Sequence, residues 1–328
     1  MTESILVKGI KKYFRENMGI LIGLIALCVV VAALNNKFLT QTNILNVLRQ
    51  LFLNANLSLG MCLVIIIGGI DLTVGSTMGL CGTLVAGLIA YNNMNVWLAI
   101  AIGLSVGVLI GVINGFFISY MKIAPFIVTM TVQLISRGAV FVYTDGLPIR
   151  SVNATFNNLG NGYVGNIPIT LFYTAFFVIV VWFILSRSKL GRHIYATGGN
   201  KLAAQFSGID TKKVTIIVFV ISAVLAAFAG IVYCGRMYSG QPTLGEGDEM
   251  NAIAAVVLGG TSFTGGVGTI GGVLIGVGII AVLSNALNLL GINSFWQMII
   301  KGVVILIAVS IDMLKKSDQI KFKKKAVA

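Results

Sequence analysis

Ten apolar runs, separated by short polar, glycine- or proline-bearing stretches, constrain the fold of this 328-residue chain more than any other feature. They cover about 18–34, 51–67, 74–90, 96–119, 124–142, 169–185, 214–234, 250–259, 270–289 and 295–312. A run of about 17–25 apolar residues crosses a roughly 30 Å hydrocarbon core as a helix. The lack of water there leaves helices and closed barrels as the only spanning structures. The predicted fold class is therefore an all-α polytopic membrane protein with about ten transmembrane helices, forming one transmembrane domain over 1–328. The second and eighth runs are the weakest, because polar residues or glycines break into them.

The charge pattern orients these runs. Charged residues make up only 10% of the chain and apolar ones 57%, whereas about a quarter of a soluble domain is charged. The net charge of +13 is gathered in three Lys/Arg clusters, which is the positive-inside pattern and not a nucleic-acid surface. The clusters are the N-terminus 1–17 (Lys8, Lys11, Lys12, Arg15), the loop 186–213 (Arg187, Lys189, Arg192, Lys201, Lys212, Lys213) and the tail 313–328. Ten spans put all three on the cytoplasmic side, with both termini inside; nine or eleven would strand one lysine-rich terminus outside. The first run is too long for a signal peptide and lacks a small-residue cleavage site after Leu34. Cys28, Cys62, Cys81 and Cys234 show neither metal-ligand nor redox spacing and read as small buried hydrophobes.

The two halves echo each other. Met61–Ser76 resembles 252–266: an apolar half-span runs into Gly68-Gly69 or Gly259-Gly260, then a polar break, then another apolar span. The glycine pairs lie 259 − 68 = 191 residues apart. Interrupted helices in matching halves are a transporter signature, with sites and gates at the breaks. The alternative is a pair of ordinary glycine turns at the membrane surface. Small-residue ladders such as Gly107-xxx-Gly111-xxx-Gly115 and Gly272-xxx-Gly276 allow close helix packing, within the chain or across a dimer seam.

Individual residues carry two readings each. Asp71, between apolar runs, is a pathway candidate or the cap of the third span. Arg137 shares the fifth span with Thr129, Thr131 and Gln133, so this span is read as pathway-lining; the alternative for Arg137 is snorkelling outward. Lys301 has Glu246, Asp248 and Glu249 as possible counter-ions. In the 186–213 loop, 200–209 reads as one short amphipathic helix with Leu202, Ala203, Phe206 and Ile209 on one face. A half-apolar helix in a basic loop calls for a docking partner. Gly266–Gly271 matches G-x-G-x-x-G but follows no strand and lacks the acid about 20 residues on, so it is rejected. The dipeptide Gly-Lys is absent, hence no Walker A loop; one histidine and no metal cluster leave nothing that argues for catalysis.

Gly68–Gly75, Tyr143–Pro148, Leu190–Ala196, Gly198–Ala204, Ser207–Ile209, Ala252–Ser262, Gln241-Pro242 and Gly291–Met298 together resemble the bacterial ribose/monosaccharide ABC-transporter permeases, over roughly 15–315. The resemblance implies a type II ABC importer-like fold and an inner-membrane location. It implies no cofactor on this chain, with ATP-Mg on a partner. The partners it implies are a cytoplasmic ABC ATPase, an extracytoplasmic sugar-binding protein and a second permease copy or paralogue. It places ATPase contacts at Asn200, Ala203, Ala204, Ser207, Gly208 and Ile209, beside Phe206 of the apolar face. More loosely, it makes the Asp71 segment and the fifth span pathway elements. Relatives of this architecture carry other cargoes, so a nucleoside, an autoinducer-type furanose or a branched-chain amino acid are alternatives. An ion-gradient-driven secondary transporter is the remaining class, weakened by the scarcity of intramembrane acids.

Overall fold

The computed structural model describes residues 3–151, 153–307 and 310, with side chains from Met18 onward; the basic tail 313–328 lies outside the described residues. The chain is helical almost throughout: α1 (Glu3–Leu34), α2 (Gln41–Ile66), α3 (Thr73–Asn92), α4 (Val96–Ser119), α5 (Pro125–Thr144), α6 (Ala154–Asn161), α7 (Ile169–Arg187), α8 (Lys189–Gly199), α9 (Lys201–Phe206), α10 (Thr211–Met237), α11 (Asp248–Leu258) and α12 (Ile270–Leu289), then α13 (Ser294–Ile307). The strands are two-residue pairs: β1 (Ile149–Arg150) runs antiparallel to β4 (Ser239–Gly240), and β2 (Tyr163–Val164) to β3 (Ile167–Pro168). Among the described residues, seven helices, α2, α3, α4, α5, α7, α10 and α12, are long and apolar enough to cross a membrane. The apolar part of α1, Met18–Leu34, and α13 are shorter.

As far as the described residues reach, each of the ten apolar runs lies on a helix, with two informative departures. The second run begins ten residues earlier than its hydropathy suggests, at Gln41, because Asn43, Asn46 and Gln50 dilute its first turns without breaking the helix. The eighth is an 11-residue helix, α11, about 16 Å long at 1.5 Å per residue. That is half of a 30 Å core. The irregular segment 241–247 before it packs against α3 and α5, where Arg137 satisfies its backbone: Nη1 donates to Pro242 O and Leu244 O, each at 2.8 Å.

α10 is the central post, packed on α2, α3, α4 and α6. Its contact with α4 explains the first glycine ladder. A Cβ at Gly107 would meet Ala227 Cβ at 2.7 Å, at Gly111 the Val220 Cα at 2.5 Å, and at Gly115 the Ile216 Cα at 2.6 Å. Gly272 and Gly276 likewise face the carbonyls of Gly259 and Ala255 on α11. Both ladders are internal seams, where backbones approach closely in the absence of a hydrophobic driving force between helices. Asn43 and Asn285 exchange amide bonds of 3.0 and 2.8 Å between α2 and α12. Cys62, Cys81 and Cys234 are buried free thiols, and Cys28 is half-buried.

Candidate functional site

The two broken segments end their helices in the same way. After α2, Gly68 N donates to Ile65 O and Gly69 N to Val64 O. After α11, Gly260 N donates to Val257 O and Thr261 N to Val256 O. Both are Schellman caps, which need a left-handed residue just past the helix; Gly68 (φ 80°) and Gly260 (φ 81°) supply it. The structural repeat therefore runs at 260 − 68 = 192 residues, one more than the spacing of the glycine pairs. Gly259 corresponds to Ile67 and Thr261 to Gly69. The pairs in the sequence are offset because Gly259 is glycine for another reason: a Cβ there would meet the Gly272 carbonyl carbon at 2.6 Å.

The two breaks also touch. Gly266 N donates to Ile66 O at 2.8 Å, and Cys62 Sγ lies 3.9 Å from Thr261 Oγ1. The end of α8 is wedged into this joint. Tyr195 Oη donates to Gly268 O at 2.7 Å, and a Cβ on Gly198 would strike Ile66 O and lie 2.7 Å from Gly266 N. Only glycine fits there.

Immediately beyond, Asn200 ends α8 and begins α9, its Oδ1 accepting from Ala203 N at 2.9 Å. The predicted helix over 200–209 is thus shorter: α9 stops at Phe206, and Gly208 (φ 81°) turns the chain toward α10. Leu202, Ala203, Phe206, Ser207 and Gly208 are exposed, with Phe206 91% accessible. Ala204 points the other way and is buried, because it anchors α9 to the bundle. Ile209 lies past the helix end, half-buried against the core. Asp210 caps α10 by accepting from Lys213 N at 3.1 Å, and this bond, with the Lys213 side chain 3.3 Å away, holds its carboxyl below the usual carboxylate range.

The other candidate residues are hydrogen-bonded within the bundle. Asp71 is fully buried; Oδ1 accepts from Thr73 N and Thr73 Oγ1, and Oδ2 from Ser222 Oγ at 2.8 Å. Asn114 Nδ2 adds a bond to Thr73 Oγ1 at 2.9 Å, so α3, α4 and α10 are joined through Asp71 and the Thr73 hydroxyl. Asp71 thus lies one residue before the N-cap of α3, Leu72, and accepts from the first N–H of that helix. Thr129, Gln133 and Arg137, four residues apart on α5, face inward. Thr129 Oγ1 is 3.1 Å from Ile70 O and 3.0 Å from Pro125 O, and Gln133 Nε2 reaches Glu249 Oε1 at 3.4 Å. With Arg137 they tie one stripe of α5 to the first break, to α11 and to 242–244.

A polar cavity at the opposite end from α9 is a feature the sequence reading missed. Two adjoining hollows of about 220 and 400 Å³ share Gln50, Arg236 and Asn288; Lys301 and Asp248 line the first, Asn43 and Asn285 the second. The signal was present in Asn43, Asn46, Gln50 and Asn54, spaced along one face of α2.

The family described as branched-chain amino acid transport system / permease component matches residues 43–309. Ribose import permease protein RbsC of Bacillus subtilis (strain 168) is 44% identical over 92% of this chain and 94% of its own length. That of Haemophilus influenzae is 45% identical over 89% and 91%. The D-allose transport system permease protein AlsC of Escherichia coli (strain K12) is 36% identical over 84% and 85%. This chain belongs to the ribose/monosaccharide permease family of ABC importers. Such permeases are multi-pass membrane transport components, not the ATPases of their importers. No solved structure matches the chain.

Proposed function

We propose that this permease carries a ribose-type monosaccharide inward, powered by a separate ATPase that docks on α9. The observation that carries the mechanism is the continuity from α9 to the breaks. Phe206 stands 91% exposed on a helix whose predecessor, α8, is wedged between Ile66 and Gly266 at the meeting point of both interrupted helices. A push on α9 therefore reaches both breaks at once, without passing through a flexible linker. Alternating access by such rigid displacement of packed elements is a recurrent mode of conformational switching.

In this reading the 187–213 segment, the N-terminal basic cluster and the basic tail face the cytoplasm, and 145–168 with 238–247 face an external sugar-binding protein. Ten crossings follow if α1, α11 and α13 each complete a passage. The contact set on α9 is Asn200, Ala203, Phe206, Ser207 and Gly208; Ala204 and Ile209 support it from behind. Gly68, Gly69, Gly259 and Gly260 form the hinge region. Asp71, Thr129, Gln133 and Arg137 hold the pathway helices in register instead of binding cargo. A second permease copy or a paralogue completes the transporter, and Mg-ATP acts on the ATPase alone. Ribose is preferred to the branched-chain amino acids of the wider family because the ribose permeases are 42–45% identical to this chain over about nine-tenths of its length.

The test is uptake into proteoliposomes holding the permease, its ATPase and its binding protein, with labelled ribose competed by xylose, allose, galactose, a nucleoside and leucine. ATP-dependent uptake competed best by ribose is expected. Uptake driven by an ion gradient without ATPase overturns the mechanism, and preferential competition by leucine or the nucleoside overturns the cargo.

A further inference from the structure

The two polar hollows at the end opposite α9 measure about 220 and 400 Å³, together the size of a small-molecule site, about 300–1,000 Å³. Five helices line the first, and each presents a pair of polar residues one turn apart. α2 gives Gln50 and Asn54, α10 gives Tyr233 and Arg236, α11 gives Asp248 and Asn251, and α12 and α13 each add a pair four residues apart. Residues three or four apart share a helix face, so all five helices turn that face to one space. Leu53 and Leu289 are the only apolar residues among the described lining of either hollow, and eight of the others carry side-chain amides.

A polar cavity also holds water, so its lining alone decides nothing. The second observation is the state of two side chains in it. Asn54 on α2 and Ser284 on α12 are each 8% exposed, and neither the amide nor the hydroxyl has a hydrogen-bond partner among the described residues. Asn56 Oδ1, two residues along α2, is sealed in the core; the polar atoms of Asn54 and Ser284 are not sealed, and the hollow that both residues line is where they open. Buried polar side chains are ordinarily bonded. These two leave their bonds to whatever fills the cavity.

We propose that the permease receives its cargo sugar here, the sugar hydroxyls bonding to Asn54, Ser284, Asn251 and Asp248. A hydroxyl both donates and accepts, which suits a wall of amides, hydroxyls and one carboxylate. The side chain of leucine would desolvate those amides without replacing their bonds, and an anion would meet Asp248, whose Oδ1 already accepts from Asn251 Nδ2 at 3.0 Å. Interrupted helices commonly end at transport sites, and α11 is such a helix: its first turn lines the hollow and its last carries the second break. Cargo at one end and the α8 joint at the other therefore act on one rod of about 16 Å. The assignment to cargo rests on the transport reading above; the preference for a neutral polyol rests on the wall.

The assembled permease and ATPase in nanodiscs are titrated with tritiated D-ribose, without binding protein, and binding and thermal midpoint are read for the parent, Asn54→Leu and Ser284→Ala. Because Asn54 bonds to nothing within the protein, Asn54→Leu is expected to leave the midpoint unchanged or raised while ribose binds about three- to tenfold more weakly. Ser284→Ala removes a single oxygen, is expected to act in the same direction, and decides the matter if Asn54→Leu does not fold. Leucine and ribose 5-phosphate are the competitors. Saturable ribose binding, weakened in the variants and poorly displaced by either competitor, supports the site. Absence of saturable binding, parental affinity in the variants, affinity that falls only together with the midpoint, or preferential displacement by leucine or ribose 5-phosphate overturns it. Uptake with ATPase and binding protein is measured on the same parent preparation. ATP-driven ribose uptake there, with variants that bind as the parent does, removes this site and leaves the transport reading intact; no such uptake by the parent removes the transport reading itself.

Discussion

Gly198→Ala is the sharpest probe of how motion at α9 reaches the breaks. The added methyl carbon would overlap Ile66 O and lie 2.7 Å from Gly266 N, both backbone atoms fixed by the bond between them. Neither can rotate away, so α8 must back out or the two breaks must part. Overpacking of this kind costs about 1–3 kcal/mol. If the wedge transmits force, a cost of that size appears as a loss of coupling, equivalent to about 5–150-fold. The docking surface is untouched, since Phe206 and Leu202 point into solvent. The assay compares sugar uptake and ATP hydrolysis in one proteoliposome preparation. ATPase capture is expected to persist while sugar moved per ATP falls within that range. Tyr195→Phe, which removes only the 2.7 Å bond to Gly268 O and adds no bulk, is expected to cause a smaller fall in the same direction. It separates lost transmission from general misfolding. Parental uptake per ATP in both variants would refute the wedge.

Phe206→Asp is expected to abolish ATPase recovery in a membrane pull-down while leaving the thermal midpoint unchanged, because so exposed a side chain contributes within about 0.5 kcal/mol to stability; a midpoint that falls with capture intact contradicts the docking role. Arg137→Leu leaves two carbonyls, Pro242 O and Leu244 O, without donors, an expected loss of about 2–6 kcal/mol at about 1–3 per group. Thermal unfolding in detergent checks this, and an unchanged midpoint shows that water supplies those carbonyls. Gly68→Ala and Gly260→Ala are each expected to cost about 1–2 kcal/mol: both carry positive φ, and the added methyl meets nothing at Gly68 and only Ile20 Cδ1 at 3.8 Å at Gly260. Unequal costs in the same unfolding assay would argue against the 192-residue register. Ser222→Ala removes one of three donors to Asp71 and is expected to cost about 1–3 kcal/mol, an effect that should disappear in an Asp71→Ala background in a double-mutant cycle.

The apolar runs were legible because they answer to the bilayer, a solvent whose thickness acts on each segment independently of its neighbours. The family motifs, the short helix that begins after Asn200 and the near-symmetry of the two halves were equally readable, being local patterns. By itself, then, the amino-acid sequence determined a polytopic helical permease with an exposed apolar helix in a basic loop and a repeated break. Tertiary structure decided the rest. It placed Ala204 inward and Phe206 outward, since a six-residue helix is too short for periodicity to say which flank is anchored. It corrected the repeat from 191 to 192 residues, because glycine serves left-handed turns and close packing alike and a string of letters does not distinguish them. It turned the polar stripe of α5 inward onto carbonyls 105 and 107 residues away. Such partnerships depend on which backbone atoms the folded chain leaves without water, a quantity that exists only after the helices have packed.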